Sequence, residues 1–463
     1  MDLVIMPDNH DMSRLFTQVW INPLLENAMA RRSYHGYAIT DYYKVDPRFG
    51  TNESYRKFVA EAKSKGIGII MDMVANHSGS GHWWMDDLPT DSWLNQTDSR
   101  QLTNHARTTH QDPYASEYDK NALTDGWFVD TMPDLNQRDP LLADYLIQNS
   151  IWWVEYLGLS GIRQDTYPYP DKHFMAEWSR RIMQEYPDFN MVGEEWSASP
   201  NVTSYWQRGK HNADGYVSHL PGVFDFPLQI AFAKVLTSDE PRWGSLWTPV
   251  YELLGADYLN PEPMDLVIMP DNHDMSRLFT QVAEDENLWR MAMVFYATMR
   301  GIPQIYYGTE IQMSHPGTES HGAIRAEFPG GWPDHEANAF TSAGLDVRQR
   351  AALDFTRTLL NWRKSADVVH NGRFMHFTPI GPVYAFFRYD EDEDLWRRAM
   401  VFYATMRGIQ QIYYRTEIQM SHPVTDSHGA IRAEFPGGWP DHEANAFTGA
   451  GLDDRQRAAL DFT

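Results

Sequence analysis

The sequence predicts an α/β fold of the (β/α)8 TIM-barrel type, and three observations carry that prediction. Short apolar runs recur along the chain, amphipathic stretches of helical period lie between them, and the runs end in Asp, Glu, His or Asn. Near-continuous apolar runs suit strands buried on both faces of a parallel sheet. Polar residues at strand ends suit a barrel that works at its C-terminal face.

In chain order, the first such run is Gln18 to Pro23 (QVWINP). Ser54 to Lys65 reads as an amphipathic helix stopped by Gly66. Gly66 to Val74 (GIGIIMDMV) then leads into Ala75-Asn76-His77. Residues Gly79 to Met132, rich in Trp, His and Asn, form an excursion of subdomain size. Asp139-Pro140 supplies an N-cap with proline at the first helical position and opens a helix to about Tyr156. Gly161 to Asp165 and Phe189 to Glu194 are the next strands, with a helix between them at Lys172 to Tyr186. Asp265 to Met269 precedes Asp271-Asn272-His273-Asp274, and Gly301 to Tyr307 follows a helix at Leu288 to Arg300. Phe374 to Tyr389 alternates with β period around Gly381-Pro382, the opening hairpin of a C-terminal β-domain.

Two duplications complicate this plan. Met1 to Val19 is identical to Met264 to Val282, and Asp285 to Thr356 returns as Asp392 to Thr463 with scattered changes. The copies differ in length and never occur a third time, which excludes a solenoid of one period. The expected organisation is therefore a displaced strand segment at 1–19 and a catalytic barrel at 20–364 with an inserted subdomain at 79–132. A truncated β-domain at 365–391 and a non-catalytic copy at 392–463 complete it. Leu3 to Met6 is apolar enough to fill a vacant first-strand position, although only about a dozen residues then remain for the crossover. In the second copy Pro303, Gly308 and Gly317 become Gln410, Arg415 and Val424. Arg is costly where a turn needs glycine's freedom, so this copy is expected to be an idle, partly helical appendage.

The 463 residues carry a formal net charge of −24 and no Cys. Such a surface disfavours nucleic-acid phosphate and anionic membrane as partners. Thiolate chemistry and disulfides are excluded, no run reaches membrane-spanning length, and no signal peptide is visible, so a cytoplasmic location is the default expectation. Oligomeric state is not legible.

Several strand-end words stand in a fixed order: Tyr34-His35-Gly36-Tyr37, D-M-V-A-N-H (Asp72 to His77), M-P-D-L-N (Met132 to Asn136), G-I-R-Q-D (Gly161 to Asp165), G-E-E-W (Gly193 to Trp196), D-N-H-D (Asp271 to Asp274) and Y-Y-G-T-E (Tyr306 to Glu310). Together they resemble the α-amylase family (glycoside hydrolase family 13), in particular its neopullulanase and cyclomaltodextrinase branch, over roughly Gln18 to Tyr389.

The resemblance implies a retaining hydrolase of α-1,4-glucosidic bonds in maltooligosaccharides, cyclodextrins, pullulan or starch. Retention needs two carboxyl groups about 5–5.5 Å apart. By the resemblance Asp165 is the nucleophile, Glu194 the general acid/base and Asp274 the third carboxylate. Arg163, two residues before Asp165 on the same strand face, keeps the nucleophile ionised. His77 and His273 bind sugar hydroxyls, Tyr37 stacks on the ring, and His35 and Asp334 are further substrate-binding candidates. Asp72 and Asn76 read as loop-organising residues, Asn76 also as a candidate ligand for a structural Ca²⁺. No cofactor is required. Glu195 is expected to face away from Glu194, and Trp83-Trp84 is either subdomain core or a sugar platform. The family also admits a periplasmic location, transglycosylases and α-1,6-acting relatives. A barrel damaged by the duplications would leave a non-catalytic α-glucan-binding protein.

Overall fold

The computed structural model describes residues 17–30, 34–97, 99–238, 245–318, 320–389 and 400–405. The first D-N-H-D copy, Leu3 to Met6 and most of the C-terminal copy lie outside these residues. The chain divides into two compact units, residues 1–402 and 403–463.

The strands are β1 (Gln18–Ile21), β2 (Leu25–Glu26), β3 (Asp41–Val45), β4 (Gly68–Met73), β5 (Gly161–Gln164), β6 (Asn190–Gly193), β7 (Gly222–Val223), β8 (Val267–Ile268), β9 (Ile302–Pro303), β10 (Arg373–His376), β11 (Val383–Tyr389) and β12 (Met400–Thr405). A five-stranded parallel sheet runs β1-β4-β5-β6-β7. A parallel bridge between Phe224 and Val267 carries the order on to β8, which pairs with β9. Helices follow β4, β5, β6, β7 and β8, as crossovers between parallel strands require. Between β9 and β1 no pairing is present among the described residues; instead Gln18–Trp20 and Ile302–Tyr307 help to line a cavity of about 1170 Å³.

Local signals explain most of the helices. Asp139 caps Pro140–Leu157 by accepting from Leu141 N and Leu142 N at 2.9 and 3.2 Å, and Gly158 ends it in the left-handed conformation at φ 72°. Helix Asn52–Ser64 has a Thr51/Ser54 capping box, and the chain turns out of it at Gly66, φ 79°. Helices Lys172–Glu185 and Glu286–Thr298 start on Asp171 and Asp285 caps. The inserted stretch contains helix Glu117–Thr124 and short 3-10 turns at Trp83–Met85 and Arg107–His110. Its tryptophan pair splits: Trp84 is 1% exposed and meets Trp93 edge-on, whereas Trp83 is 55% exposed. β10 and β11 form the antiparallel hairpin around Gly381.

The described stretch of the C-terminal copy, Met400–Thr405, is a strand, and the rest of that copy lies outside the described residues. The same six residues, M-V-F-Y-A-T, form the last part of helix Glu286–Thr298 in the first copy.

Candidate active site

The site grows from strand register. Asp72 on β4 and Arg163 on β5 are paired positions in the parallel ladder, so their side chains leave the same face. Arg163 is 1% exposed and its guanidinium serves three carboxylates. Nη1 lies 2.8 Å from Asp72 Oδ1 and 2.8 Å from Asp165 Oδ1, and Nη2 lies 2.6 Å from Glu194 Oε1. Aromatic faces flank the cation, with its centre 4.9 Å from the Trp20 ring and 5.6 Å from the Tyr37 ring. The sequence reading of Asp72 as a loop organiser is corrected: it is a strand residue, 0% exposed, accepting from Trp20 Nε1 at 3.1 Å and Tyr37 Oη at 2.9 Å as well as from Arg163.

Asp165 and Glu194 stand at the ends of adjacent strands, 6% and 7% exposed. Thr166 ties them together: its hydroxyl donates to Asp165 Oδ2 at 3.1 Å and its backbone N–H donates to Glu194 Oε2 at 3.0 Å. It does so at φ 40°, a left-handed conformation that is strained for a β-branched residue. Burial raises both carboxyl groups above their ordinary range. Arg163 opposes the rise in each, the negative charge of Asp274 adds to it in both, and that of Asp165 adds to it in Glu194. One cation among three buried carboxylates leaves an excess of negative charge that favours retention of a proton.

Asp274 behaves in the opposite way. Burial opposes its ionisation, but His273, His321 and Arg325 together outweigh burial and hold the carboxyl well below the ordinary value. The contacts are 3.0 Å to His273 Nε2, 3.3 Å to His321 Nδ1 and 2.7 Å to Arg325 Nη2. Arg325 also donates to the His273 carbonyl at 3.0 Å. Sequence reasoning missed Arg325 and His321, which come from the short helix His321–Ile324 and its C-cap, after β9, where no strand-end word marks them.

Tyr37 and His273 join the two halves of the cluster. The Tyr37 hydroxyl lies 2.8 Å from His273 Nε2, and the rings stack at 5.7 Å and 13°. His35 stacks on Tyr37 as well, with ring centroids 6.0 Å apart, and its Nδ1 accepts from Tyr37 N. His77 is 1% exposed, packs on Phe128 at 5.2 Å, and is held down to about 3 by burial, so it is neutral near pH 7. Asp334 is exposed, and none of the hydrogen bonds or ion pairs described for this cluster reaches it. Glu195 turns away into the interior, where Trp206 Nε1 donates to it at 3.1 Å.

Asn76 is the candidate ligand for a structural calcium. Asn76 offers one buried side-chain oxygen without a partner, and among the described residues no group of three or more His, Asp or Glu has metal-holding geometry. No helix among the described residues is long and apolar enough to cross a membrane.

A profile described as "Alpha amylase, catalytic domain" matches residues 10–369. Among similar proteins are Alpha-amylase 2 of Dictyoglomus thermophilum, 26% identical over 378 residues, and Neopullulanase 2 of Thermoactinomyces vulgaris, 26% identical over 393 residues. The first alignment covers 77% of this chain and 56% of the relative, the second 81% and 58%, so the chain spans a little over half the length of these relatives. The solved α-amylase of Geobacillus thermoleovorans superposes with a TM-score of 0.66 at 26% identity, covering 83% of this chain and 76% of that one. Ordered strand-end motifs, a parallel α/β sheet and a family match across most of the described residues agree, and the chain belongs to the α-amylase family, glycoside hydrolase family 13.

Proposed function

We propose that this chain is a retaining glycoside hydrolase of α-1,4-linked glucans such as maltooligosaccharides and cyclodextrins. The observation that carries the reading is the single Arg163 guanidinium gathering Asp165 and Glu194 at the ends of neighbouring parallel strands. Glu194 in its protonated form gives its proton to the glycosidic oxygen as that bond breaks, and Asp165 attacks the anomeric carbon to form a covalent glycosyl ester. Water, deprotonated by Glu194, then attacks the same carbon and releases Asp165, so two inversions give retention. Asp274, already ionised, holds hydroxyls of the sugar and offsets positive charge at the ring. Tyr37 stacks on that sugar, His77 and His273 bind its hydroxyls, and His35 and Asp334 serve the neighbouring sugar units. The gap between β1 and β9 is read as the position of a barrel strand absent from the described residues.

A cyclomaltodextrin glucanotransferase among the relatives, 27% identical over 325 residues, favours transfer to a sugar acceptor as the second reading. The test is release of reducing sugar from β-cyclodextrin and soluble starch, with and without maltose as acceptor, by the wild type and Asp165→Asn. Reducing ends released by the wild type alone support hydrolysis; longer oligosaccharides built on maltose support transfer. An inactive wild-type chain that still retains on an immobilised glucan overturns both in favour of a binding protein.

A further inference from the structure

One turn of the inserted stretch grips the loops that follow both β5 and β6. His105 Nδ1 lies 3.0 Å from the Tyr169 hydroxyl, and His110 Nε2 lies 2.6 Å from the Pro168 carbonyl, both on the loop after Asp165. Arg107 sits between them. Its Nη1 donates to the Tyr169 hydroxyl at 3.4 Å, its Nη2 donates to the Trp196 carbonyl, and its Nε faces Glu195 Oε1 at 3.1 Å. Glu195 is 0% exposed, and its other oxygen accepts from Trp206. The Nε contact lies off the N–H axis, so it is an ion pair rather than a hydrogen bond. Burial, helped by the neighbouring charge of Glu194, lifts the Glu195 carboxyl to about 7, against the opposing Arg107 cation and the Trp206 hydrogen bond.

Glu195 is the residue after Glu194, and the backbone there is already shared between the two loops. Glu194 N donates to the Gln164 carbonyl at 3.1 Å, and Tyr167 N donates to the Glu194 carbonyl at 3.0 Å. A guanidinium fixed on residues 195 and 196 therefore fixes the direction in which Glu194 leaves the strand. A buried, paired carboxylate is weak evidence for stability but a good device for specifying one arrangement.

We propose that Arg107 and Glu195 form a positioning clasp through which the inserted stretch sets the aim of Glu194 at the bond that Asp165 attacks. This rests on the hydrolase reading above. Neither residue touches substrate; both act through Glu194. Removing Arg107 leaves Glu195 buried without its cation, so residues 195 and 196 shift and Glu194 shifts with them. A displacement of about 1 Å costs on the order of 100-fold in rate.

The test is steady-state kinetics on β-cyclodextrin for wild type, Arg107→Ala, Arg107→Lys, Glu195→Gln and the Arg107→Ala/Glu195→Gln pair. Amide hydrogen exchange is measured on the same proteins without substrate. The clasp predicts that kcat falls by about 10- to 100-fold in Arg107→Ala and Glu195→Gln with KM little changed. The double variant should be no worse than the poorer single, and Arg107→Lys should recover part of the loss. Exchange should quicken at residues 166–169 and 195–197 while helix Pro140–Leu157 keeps its protection. Unchanged kcat in both single variants, or losses that multiply in the double, overturns the proposal. If the wild type does not cleave glucan, the hydrolase reading fails on its own; unaltered exchange at those two loops in Arg107→Ala then overturns the clasp separately.

Discussion

Arg163→Met is the perturbation that tests the electrostatic account of the site most directly. Wild-type Arg163 meets Asp72, Asp165 and Glu194 at 2.6–2.8 Å, and all four side chains are nearly excluded from water. Methionine fills similar length without charge and leaves three buried carboxyl groups with no cation between them. At least one more proton than the wild type holds must then be retained at pH 7. Holding a proton on a carboxyl of ordinary pKa near 4 at that pH spans about three pH units, or about 4 kcal/mol at 1.36 kcal/mol each. That agrees with the roughly 3–5 kcal/mol lost when one partner of a buried pair is removed. The sign follows from proton counting. Folded Arg163→Met binds more protons than its unfolded chain wherever pH exceeds the ordinary carboxyl range, so its stability falls as pH rises. The deficit against wild type should be small near pH 4 and should grow by about 1.36 kcal/mol per pH unit for each extra proton held, up to neutrality. Urea unfolding of both proteins at half-unit steps from pH 4.5 to 7.5 measures it. A deficit independent of pH, or one below about 1 kcal/mol at pH 7, refutes the three-carboxylate cluster.

Two further outcomes follow from the same geometry. Thr166 holds φ 40°, so Thr166→Gly should be more stable than Thr166→Ala by about 1 kcal/mol, the reverse of the usual order, because only alanine keeps the Cβ that the left-handed region resists. Chemical denaturation measures this, and an equal or reversed order refutes the strain. His77 is held near 3 by burial, so between that value and its ordinary 6.5 the unfolded chain binds the extra proton and stability rises with pH. His77→Gln should therefore flatten the rise in stability from pH 4.5 to 6 by about 1.4 kcal/mol per pH unit, and an unchanged slope would count against a buried neutral imidazole.

The strand-end chemistry was legible because each catalytic candidate sits in a short word whose side-chain direction is set by strand period. Arg163 and Asp165 share a face by alternation, and the structure ties them at 2.8 Å. Asp72 could have been found by the same rule: it lies in an apolar run and is the register partner of Arg163. Helix starts at Asp139, Asp171 and Asp285 were legible from capping chemistry. Arg325 and His321 were not, because their reach to Asp274 spans 51 and 47 residues of loop and helix and is decided by tertiary approach. Thr166 was equally hidden, since its role rests on a backbone conformation that its side chain disfavours.

The duplicated words show how far local sequence decides structure in this chain. Thr280-Gln281-Val282 closes a short helix, Leu278–Gln281, while the identical Thr17-Gln18-Val19 leads into β1, paired with Gly68 to Met71. M-V-F-Y-A-T is helix at 293–298 and strand at 400–405. Local propensity is a weak prior that tertiary partners override. The same reasoning separates the two copies of D-N-H-D, because an active carboxylate is made by its partners and not by its word. At 271–274 those partners are present: Thr309 Oγ1 and Leu278 N hold Asp271, and His273, His321 and Arg325 hold Asp274. Asp11, the counterpart of Asp274, lies outside the described residues. In the reducing-sugar assay Asp274→Asn should lower kcat by about 100-fold or more, as expected for a group that stabilises charge in the transition state. Asp11→Asn should stay within about 2-fold of wild type. Loss of activity in Asp11→Asn with Asp274→Asn unaffected reverses the assignment and places the first copy in the working site.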